Sequence, residues 1–271
     1  MLKLRPFQKK SLSLLEKPAH LVCVAPTGSG KSLIYEKLSS KAGTRTLLVS
    51  PLIALARQQK QRLENAGVPV ALATGGENSK PPMGRSGVWI VSPESIQSSF
   101  RRNILNHWKP DFLVVDECHC LWDWGEKFRP AFSQLPALIA QNNISRSLWL
   151  SATIPPQARA LLRLNLPHPY YEVGDFDLPT NLRLVVSKTS WSHRLSTLLR
   201  WIQSQKGPGI VFAPTRESTH RLANILSTTY QTAVYHAGMS REERLLIEKS
   251  IDERKVQIRS EERRVGKECR L

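Results

Sequence analysis

A short loop between a predicted strand and a predicted helix constrains this chain more than any other feature. The loop reads Ala-Pro-Thr-Gly-Ser-Gly-Lys-Ser over residues 25–32, after the apolar run 21–24 and before a helical pattern over 33–41. A strand, a glycine-containing loop and a helix in this order are typical of the loop that binds nucleotide phosphates. Because backbone N–H groups and a helix N-terminus attract anions, the loop predicts a nucleotide site. A tight turn without nucleotide is the alternative.

Each polar residue of this loop has an expected role. We expect Lys31 to contact the β- and γ-phosphates and the Ser32 hydroxyl to occupy one coordination position of Mg²⁺. The other loop residues predicted to bind the nucleotide are Thr27, Gly28, Ser29 and Gly30. The usual pattern begins with glycine, whereas Ala25 stands first here. The prediction therefore depends on the final Gly-Lys-Ser and on the flanking strand and helix.

A carboxylate pair at the end of another apolar strand complements the phosphate loop. The apolar residues 112–115 lead directly into Asp116, Glu117, Cys118 and His119. We expect Asp116 to hold Mg²⁺ through water, and Glu117 to orient and deprotonate the attacking water. His119 is placed to sense the γ-phosphate or to relay its presence, although a single histidine is the weaker prediction. A solvated acidic turn is the alternative for the pair.

Two further segments belong to the predicted nucleotide site. Arg5 and Gln8 lie shortly before the loop, and a glutamine amide both donates and accepts, which suits adenine. A solvated helix start is the alternative for these two residues. Ser151 and Thr153 follow the predicted strand 147–150, and their hydroxyls are suited to hydrogen-bonding the carboxylates. We expect this pair to couple the nucleotide to the rest of the protein.

The charge of the chain favours a polyanionic partner. Its formal net charge is +17, and basic proteins are drawn to nucleic acid because phosphate contacts release counterions. Trp124 and Phe128 lie beside Arg129 in a polar loop, where the rings could stack on bases while the cation meets phosphate. The alternative is that these aromatic residues anchor a long loop to the core. Charge alone does not decide between these interpretations.

The pattern of strands and helices indicates two domains. Proline and glycine interrupt the pattern in the middle of the chain, and a new series of strands and helices then begins, with its first strand over 182–186. The predicted organisation is a first domain over 1–165, a linker over 166–181, an incomplete second domain over 182–258 and a tail over 259–271. No apolar strand is visible in that tail.

Cysteine usage and hydropathy indicate the compartment. The four cysteines do not pair into a zinc site, so we expect reduced thiols. No apolar run approaches the roughly 20 residues of a membrane span, and residues 1–10 lack the apolar region of a secretory signal. We therefore expect a cytoplasmic protein with no membrane partner.

Taken together, these motifs resemble the RecQ family of DNA helicases, in helicase superfamily two. The resemblance runs from about Leu4 to Ile258, and it is most specific in the carboxylate box, the aromatic loop and the linker, in that order. The segments that carry it are Arg5 with Gln8, 25–32, 50–55, 91–94, 116–119, 124–130, 151–153, 176–182, 210–216 and 235–238.

The resemblance implies a fold, an activity and a set of partners. The fold is a RecA-like P-loop domain, with a parallel sheet flanked by helices, followed by an incomplete second RecA-like domain. The activity is ATP-dependent 3′→5′ translocation on single-stranded DNA with unwinding of duplex DNA, and the cofactors are ATP and Mg²⁺. A monomer in a bacterial cytoplasm, associated with the nucleoid, is expected. The implied DNA-binding residues are Pro51, Leu52, Ser92, Pro93, Trp124, Phe128, Arg129, Thr215, Arg216, His236 and Gly238.

The family pattern is not followed to the end of the chain. Family members continue after Ile258 with a DNA-contacting motif and an arginine-finger motif, whereas 259–271 is rich in charge and resembles translated sequencing-adapter DNA. We interpret 259–271 as a non-native read-through tail, with a natural charged tail as the alternative. The chain as written is expected to bind ATP and to hydrolyse it weakly, because an arginine finger contributes roughly 10³–10⁵ in rate.

Two other functions stay open at this point. The first is a non-enzymatic clamp that uses the same fold only to bind nucleic acid. The second is an RNA helicase of the same superfamily, which shares the phosphate loop and the carboxylate box but is disfavoured by the aromatic loop.

Overall fold

The computed structural model describes residues 3–74, 79–119, 134–174 and 183–262. The chain divides into two compact units, Met1–Arg183 and Leu184–Leu271. The described part of the first unit contains a seven-stranded sheet, and that of the second a three-stranded sheet. Within these described ranges, no helix has the length and apolar character needed to cross a bilayer.

The first unit alternates strands and helices along the chain. In order, its elements are α1 (Pro6–Leu14), β1 (Ala19–Val24), α2 (Ser32–Ser39), β2 (Arg45–Val49), α3 (Ile53–Asn65), β3 (Val70–Ala73), β4 (Gly87–Val91), a 3₁₀ turn (Glu94–Gln97), α4 (Ser99–Trp108), β5 (Phe112–Val115), α5 (Leu135–Gln141), β6 (Arg146–Ser151), α6 (Pro156–Asn165) and β7 (Tyr170–Gly174). The strand order is β3-β4-β2-β5-β6-β1-β7, and neighbouring strands are parallel. The predicted α/β class with a parallel sheet flanked by helices is confirmed.

Both faces of this sheet are covered by helices. On β1, Leu21 and Cys23 belong to one buried cluster, and Val22 and Val24 belong to the other. Helices α1 to α3 contribute side chains to the first cluster, and α4 to α6 contribute to the second. Strands buried on both faces appear in the sequence as continuous apolar runs, which is why the sequence located them.

The second unit is smaller and has a thin core. Its elements are α7 (Arg194–Ser204), β8 (Gly209–Ala213), α8 (Arg216–Leu226), β9 (Thr232–Tyr235), α9 (Arg241–Asp252) and β10 (Ile258–Glu262). The strands are parallel in the order β8-β10-β9. Ile202, Leu226 and Ile258 form its buried cluster, while Ile210 and Phe212 of β8 are 50% and 59% exposed.

The predicted linker over 166–181 begins with a strand of the first unit. β7 pairs in parallel with β1 at the edge of the sheet, from His20 opposite Tyr170 to Val24 opposite Gly174. Prolines and a glycine on either side hid this short run, whose aromatic and β-branched residues suit an edge strand. Residues 175–182, which complete the predicted linker, lie outside the described part of the chain.

The strand predicted over 182–186 does not form in residues 183–186. Leu184, Val185 and Val186 are exposed there, and no described strand pairs with them. An apolar run becomes a strand only where a neighbouring backbone accepts its hydrogen bonds.

Residues 259–262, in which the sequence shows no apolar strand, nevertheless belong to β10, the central strand of the second sheet. Ile258 and Ser260 are buried, and the Ser260 hydroxyl donates to the Thr219 carbonyl at 2.9 Å. Arg259 and Glu261, which alternate with them, pair with each other at 2.8 Å. Backbone pairing on both sides and these polar contacts allow a charged segment to occupy a central strand. Residues 263–271 lie outside the described part.

Candidate active site

The predicted site residues of the first unit lie along one edge of the sheet. Because its strands are parallel, their carboxyl ends meet at that edge, where open α/β sheets bind ligands. In sheet order, the carboxyl ends are followed by Ser92 and Pro93 (β4), Pro51 and Leu52 (β2), Asp116 and Glu117 (β5), Thr153 (β6) and the loop 25–32 (β1). Four strand spacings separate β4 from β1, about 19 Å. The nucleic-acid candidates of the first unit therefore lie on one side of Asp116 and Glu117 along this edge, and the phosphate loop lies on the other.

The phosphate loop has the backbone conformation that its glycines allow. Gly28 and Gly30 adopt φ angles of +75° and +82°, which side chains with a Cβ atom rarely adopt. Lys31 then takes helical angles as the N-cap of α2. The loop thus turns directly into a helix N-terminus, which carries partial positive charge.

Lys31 lies across its own loop. Its Nζ donates to the Ala25 carbonyl at 2.6 Å and to the Pro26 carbonyl at 3.1 Å. The loop that carries Lys31 follows β1, and Asp116 and Glu117 follow β5, at the same edge of the sheet. The Lys31 ammonium and the two carboxylates that follow β5 are therefore candidates for one site.

Gln8 is tied to the phosphate loop. Its Nε2 donates to the Gly30 carbonyl at 2.8 Å, and its Oε1 accepts from the Arg5 backbone N–H at 2.8 Å. The side chain of Gln8 is buried, whereas Arg5 is exposed. These contacts hold Gln8 against the phosphate loop and engage both polar atoms of its amide within the chain.

A methyl group on Gly30 should destabilise the protein more than one on Gly28. Both glycines have positive φ, so alanine at either is strained by roughly 1–2 kcal/mol. Only at Gly30 would the new Cβ meet the Gln8 amide nitrogen at 2.8 Å, displacing it from its hydrogen bond. We expect Gly30→Ala to be less stable than Gly28→Ala by about 1 kcal/mol in denaturant unfolding. Equal stabilities would show that the Gln8 contact contributes nothing.

Asp116 is held rigidly at the end of β5. Its side chain is 9% exposed, its Oδ2 accepts from Gln59 Nε2 at 2.6 Å, and its Oδ1 accepts from the Glu117 N–H at 3.0 Å. Burial, together with the neighbouring charge of Glu117, raises the pKa of Asp116 to about 6. A cation beside this carboxylate would relieve both penalties.

Glu117 and His119 form a hydrogen-bonded chain that ends on β6. His119 Nδ1 lies 3.2 Å from Glu117 Oε2 and 3.1 Å from the Ser151 hydroxyl. The hydrogen bond from His119 lowers the pKa of Glu117, so this carboxylate is ionised at neutral pH. Ser151 in turn donates to the Thr153 carbonyl. We predicted that Ser151 and Thr153 contact the carboxylates directly; instead, Ser151 reaches Glu117 through the histidine ring, and Thr153 contributes its backbone.

The donor set of this site fits Mg²⁺. Each carboxylate oxygen of Asp116 accepts one described hydrogen bond and keeps a lone pair, and Ser32 presents a half-buried hydroxyl at the start of α2. No group of three or more His, Cys, Asp or Glu side chains in the described ranges could hold a metal by itself. Mg²⁺ suits such a site, since it commonly binds one or two carboxylates together with waters and phosphate oxygens.

The nucleic-acid candidates of the first unit follow β2 and β4, and β2 is the neighbour of β5, which leads into Asp116. Val49 and Val91 are register partners, so the segments that follow β2 and β4 are adjacent. Leu52 is 41% exposed at the start of α3. Pro51 and Pro93 are buried, so they shape the backbone more than they present a side chain.

The candidates of the second unit also meet at the carboxyl end of their sheet. Arg216 pairs with Glu262 at 3.3 Å and reaches within 2.8 Å of where a Cβ on Gly238 would lie. His236 Nε2 lies 2.9 Å from His220 Nε2. Thr215 accepts from the Ser218 N–H and so caps α8, a structural role that the sequence analysis did not assign.

Some candidates fall outside the described residues. These are Trp124, Phe128 and Arg129 of the aromatic loop, and the linker segment 176–182. Their expected roles stay predictions.

Gln59 and Tyr35 were missed in the sequence analysis. Gln59 contacts Asp116, and burial, followed by the Asp116 charge, raises the pKa of Tyr35. The signal for Gln59 was present, because positions 56, 59 and 63 lie on one face of α3 and the other two are apolar.

Comparison with known proteins decides the family of this site. The family model of DEAD/DEAH box helicases matches residues 5–161, which include the phosphate loop, the carboxylate pair and Ser151. The chain belongs to the DEAD/DEAH box helicase family.

Within this helicase family, RecQ-type proteins are among the similar relatives. An ATP-dependent DNA helicase RecQ of Pasteurella multocida is 29% identical over 247 residues, which cover 87% of this chain and 39% of the relative. A probable ATP-dependent DNA helicase RecS of Bacillus subtilis is 28% identical over 238 residues, covering 84% of this chain and 48% of the relative. The chain thus spans about two-fifths to one-half of the length of these relatives.

Solved structures of helicases share the fold. Dbp5 of S. cerevisiae, solved with Gle1 and IP6, superposes with a TM-score of 0.74 at 16% identity, covering 98% of this chain and 70% of that chain. A DEAD box protein of Methanococcus jannaschii gives a TM-score of 0.54 at 20% identity, covering 94% of this chain and 73% of that chain. At these identities the likeness establishes the RecA-like helicase fold alone.

Proposed function

We propose that this helicase-family chain is the motor portion of an ATP-dependent DNA helicase of the RecQ type. The observation that carries the proposal is the placement of Lys31, after β1, and of Asp116 and Glu117, after β5, at one edge of the same parallel sheet. A phosphate-loop lysine, a buried carboxylate and an ionised carboxylate are the parts that ATP hydrolysis by this fold requires. A clamp that only bound nucleic acid would not need them together.

The residues divide the chemistry between them. Lys31 would neutralise charge on the transferring phosphoryl group, and Ser32 and Asp116 would hold Mg²⁺, which would supply further positive charge there. Glu117, kept ionised by His119, accepts a hydrogen bond from the attacking water and orients it towards the phosphorus. Gln8, which is hydrogen-bonded to the Gly30 carbonyl, and Arg5 are the proposed adenine contacts beside the loop.

Ser151 and His119 offer a route from hydrolysis to movement. One ring nitrogen of His119, Nδ1, lies within hydrogen-bonding distance of both Glu117 and Ser151, so a change at Glu117 alters the contact with Ser151. We infer that these contacts transmit the presence or absence of the γ-phosphate from Glu117 to Ser151 on β6. With Thr153, Ser151 acts as the coupling pair that the resemblance implies.

DNA is the proposed polymer, and the RecQ-type relatives support the choice over RNA. The proposed direction is 3′→5′, and the proposed contacts are those given above for both units together with Trp124, Phe128 and Arg129. The protein is proposed to act as a monomer in the bacterial cytoplasm, on the nucleoid. The 271 residues alone are proposed to bind ATP and to hydrolyse it weakly.

Binding of single-stranded DNA tests the proposed polymer. We expect Leu52→Glu, which places a negative charge on the exposed start of α3, to weaken binding of a fluorescent oligothymidylate by roughly tenfold in an anisotropy titration. Leu161→Glu is the matched control, because Leu161 is 44% exposed but lies on α6. Equal effects of the two substitutions would remove α3 from the DNA path, and tighter binding of RNA than DNA would favour the RNA helicase.

A further inference from the structure

Gln59 is a polar residue in a buried position that its helix pattern reserves for an apolar one. It lies on α3 between Ala56 and Leu63, both fully buried in the core, and it is itself only 2% exposed. A buried amide is unfavourable unless it is hydrogen-bonded. Its Nε2 is bonded at 2.6 Å to Asp116 Oδ2, across 57 positions of sequence.

The orientation of this amide follows from chemistry. With Nε2 towards Asp116, a donor meets a carboxylate oxygen; the flipped amide would place two oxygens together. Gln59 Oε1 and the Tyr35 hydroxyl are both buried and make no hydrogen bond of good geometry in the described ranges, although the Gln59 side chain is near enough to Tyr35 to influence its pKa. The surroundings of the Asp116 carboxylate on this side are therefore polar. Among the described side chains, Gln59 is the one that donates a hydrogen bond to Asp116.

The helix that carries Gln59 also carries a nucleic-acid candidate. Leu52 is the N-cap of α3, and Gln59 lies seven residues later, about 10 Å along the axis. An α-helix transmits displacement along its axis because its backbone is hydrogen-bonded throughout. A displacement of α3 along its axis would move the amide that holds Asp116.

We propose that Gln59 is a positioning residue, which fixes the Asp116 carboxylate for the metal and transmits the position of α3 to the metal site. The inference rests on the proposed function, since it takes Asp116 as the carboxylate that serves Mg²⁺ and Leu52 as a DNA contact. It adds a route by which DNA on α3 changes the affinity for metal-bound nucleotide. By linkage, nucleotide with metal must then change the affinity for DNA by the same factor.

The test measures binding of the non-hydrolysable analogue AMP-PNP to the 271-residue chain against free Mg²⁺, with EDTA as the metal-free reference. Gln59→Leu and Gln59→Met both remove the donor, and the second keeps the unbranched shape of the side chain. Gln58→Leu is the matched control, because Gln58 is the exposed neighbour on the same helix. Each titration is repeated with saturating oligothymidylate, and thermal unfolding checks that every variant is folded.

We expect the Gln59 variants to need roughly tenfold more Mg²⁺ for the same AMP-PNP affinity, in line with losses of metal-site supporting residues. Their affinity in EDTA should stay within about twofold of the unmodified chain, and Gln58→Leu should match it throughout. Oligothymidylate should change the Mg²⁺ dependence of the unmodified chain and have little effect on that of the Gln59 variants.

Three results would overturn the proposal. An unchanged Mg²⁺ dependence in both Gln59 variants would remove the positioning role, and an equal loss of affinity in EDTA would make Gln59 merely structural. If oligothymidylate leaves the Mg²⁺ dependence of the unmodified chain unchanged, or still changes that of the Gln59 variants, then Gln59 does not transmit the position of α3 to the metal site. An unmodified, folded chain that binds no AMP-PNP with Mg²⁺ is a different result, because it would end the proposed function itself.

Discussion

Lys31→Ala should weaken binding of Mg·ATP by about 100-fold, which corresponds to ~2.7 kcal/mol. The ammonium is held over its loop by the Ala25 and Pro26 carbonyls, at the sheet edge that also carries Asp116 and Glu117, so it lies where the phosphates are expected. A hydrogen bond to a charged group is worth about 1.5–3 kcal/mol, and alanine removes the charge with it. Isothermal titration calorimetry with ATP and Mg²⁺ measures the loss directly.

The matched control is Lys37→Ala, because Lys37 lies on the same helix α2 but is exposed. It should leave ATP affinity unchanged, and both variants should keep the affinity for single-stranded DNA. Retained ATP binding in Lys31→Ala would place the nucleotide elsewhere. Loss of DNA binding along with ATP binding would point to a damaged fold.

Glu117→Gln should slow ATP hydrolysis by roughly 10²–10³-fold while ATP still binds. The amide keeps the size of the side chain and its contact with His119, but it loses the negative charge that orients the attacking water. Single-turnover hydrolysis of labelled ATP with protein in excess reads this rate even when turnover is slow. The loss should appear in the rate and not in the affinity, because Glu117 is proposed to contact water and not the nucleotide.

Glu16→Gln is the control for a carboxylate elsewhere in the first unit, since Glu16 is exposed and pairs only with Lys41 at 3.5 Å among the described contacts. It should hydrolyse ATP at the rate of the unmodified chain. A Glu117→Gln variant with an undiminished rate would show that another group orients the water, and the proposed role of Glu117 would be wrong.

The architecture of the first unit was predictable because its strands are buried on both faces. Runs such as 112–115 are apolar throughout, and polar residues directly after them had to lie at the carboxyl edge of the sheet. Lys31, Asp116 and Glu117 were therefore predictable as one site before any coordinates. The match to the DEAD/DEAH box helicase family supports this prediction, since the matching family model spans Lys31, Asp116 and Glu117.

Contacts between distant side chains were not predictable in the same way. The sequence suggested that Ser151 would meet a carboxylate, but no pattern says that His119 stands between them at 3.1 Å. Gln59 was visible as a polar residue on an apolar face, yet its partner depends on how α3 packs against β5. Such contacts follow from tertiary packing, which periodicity does not encode.

The second unit shows the limit of hydropathy as a guide to strands. β10 contains Arg259, Glu261 and Glu262, and it was overlooked because a central parallel strand is usually apolar. Its position comes from backbone pairing to β8 and β9, which no single segment reveals. The exposed run 184–186 is the opposite case, an apolar segment without a partner strand.

The central claim is that Lys31, Asp116 and Glu117 serve one ATP–magnesium complex. Calorimetric titration of the folded chain with ATP, in Mg²⁺ and in EDTA, for the unmodified protein and for Asp116→Asn, tests it most directly. The account predicts one ATP per chain, bound at least tenfold more tightly with Mg²⁺, and an Asp116→Asn variant in which that advantage disappears while affinity in EDTA is kept. Absence of ATP binding, or an equal benefit from Mg²⁺ in both proteins, would contradict it.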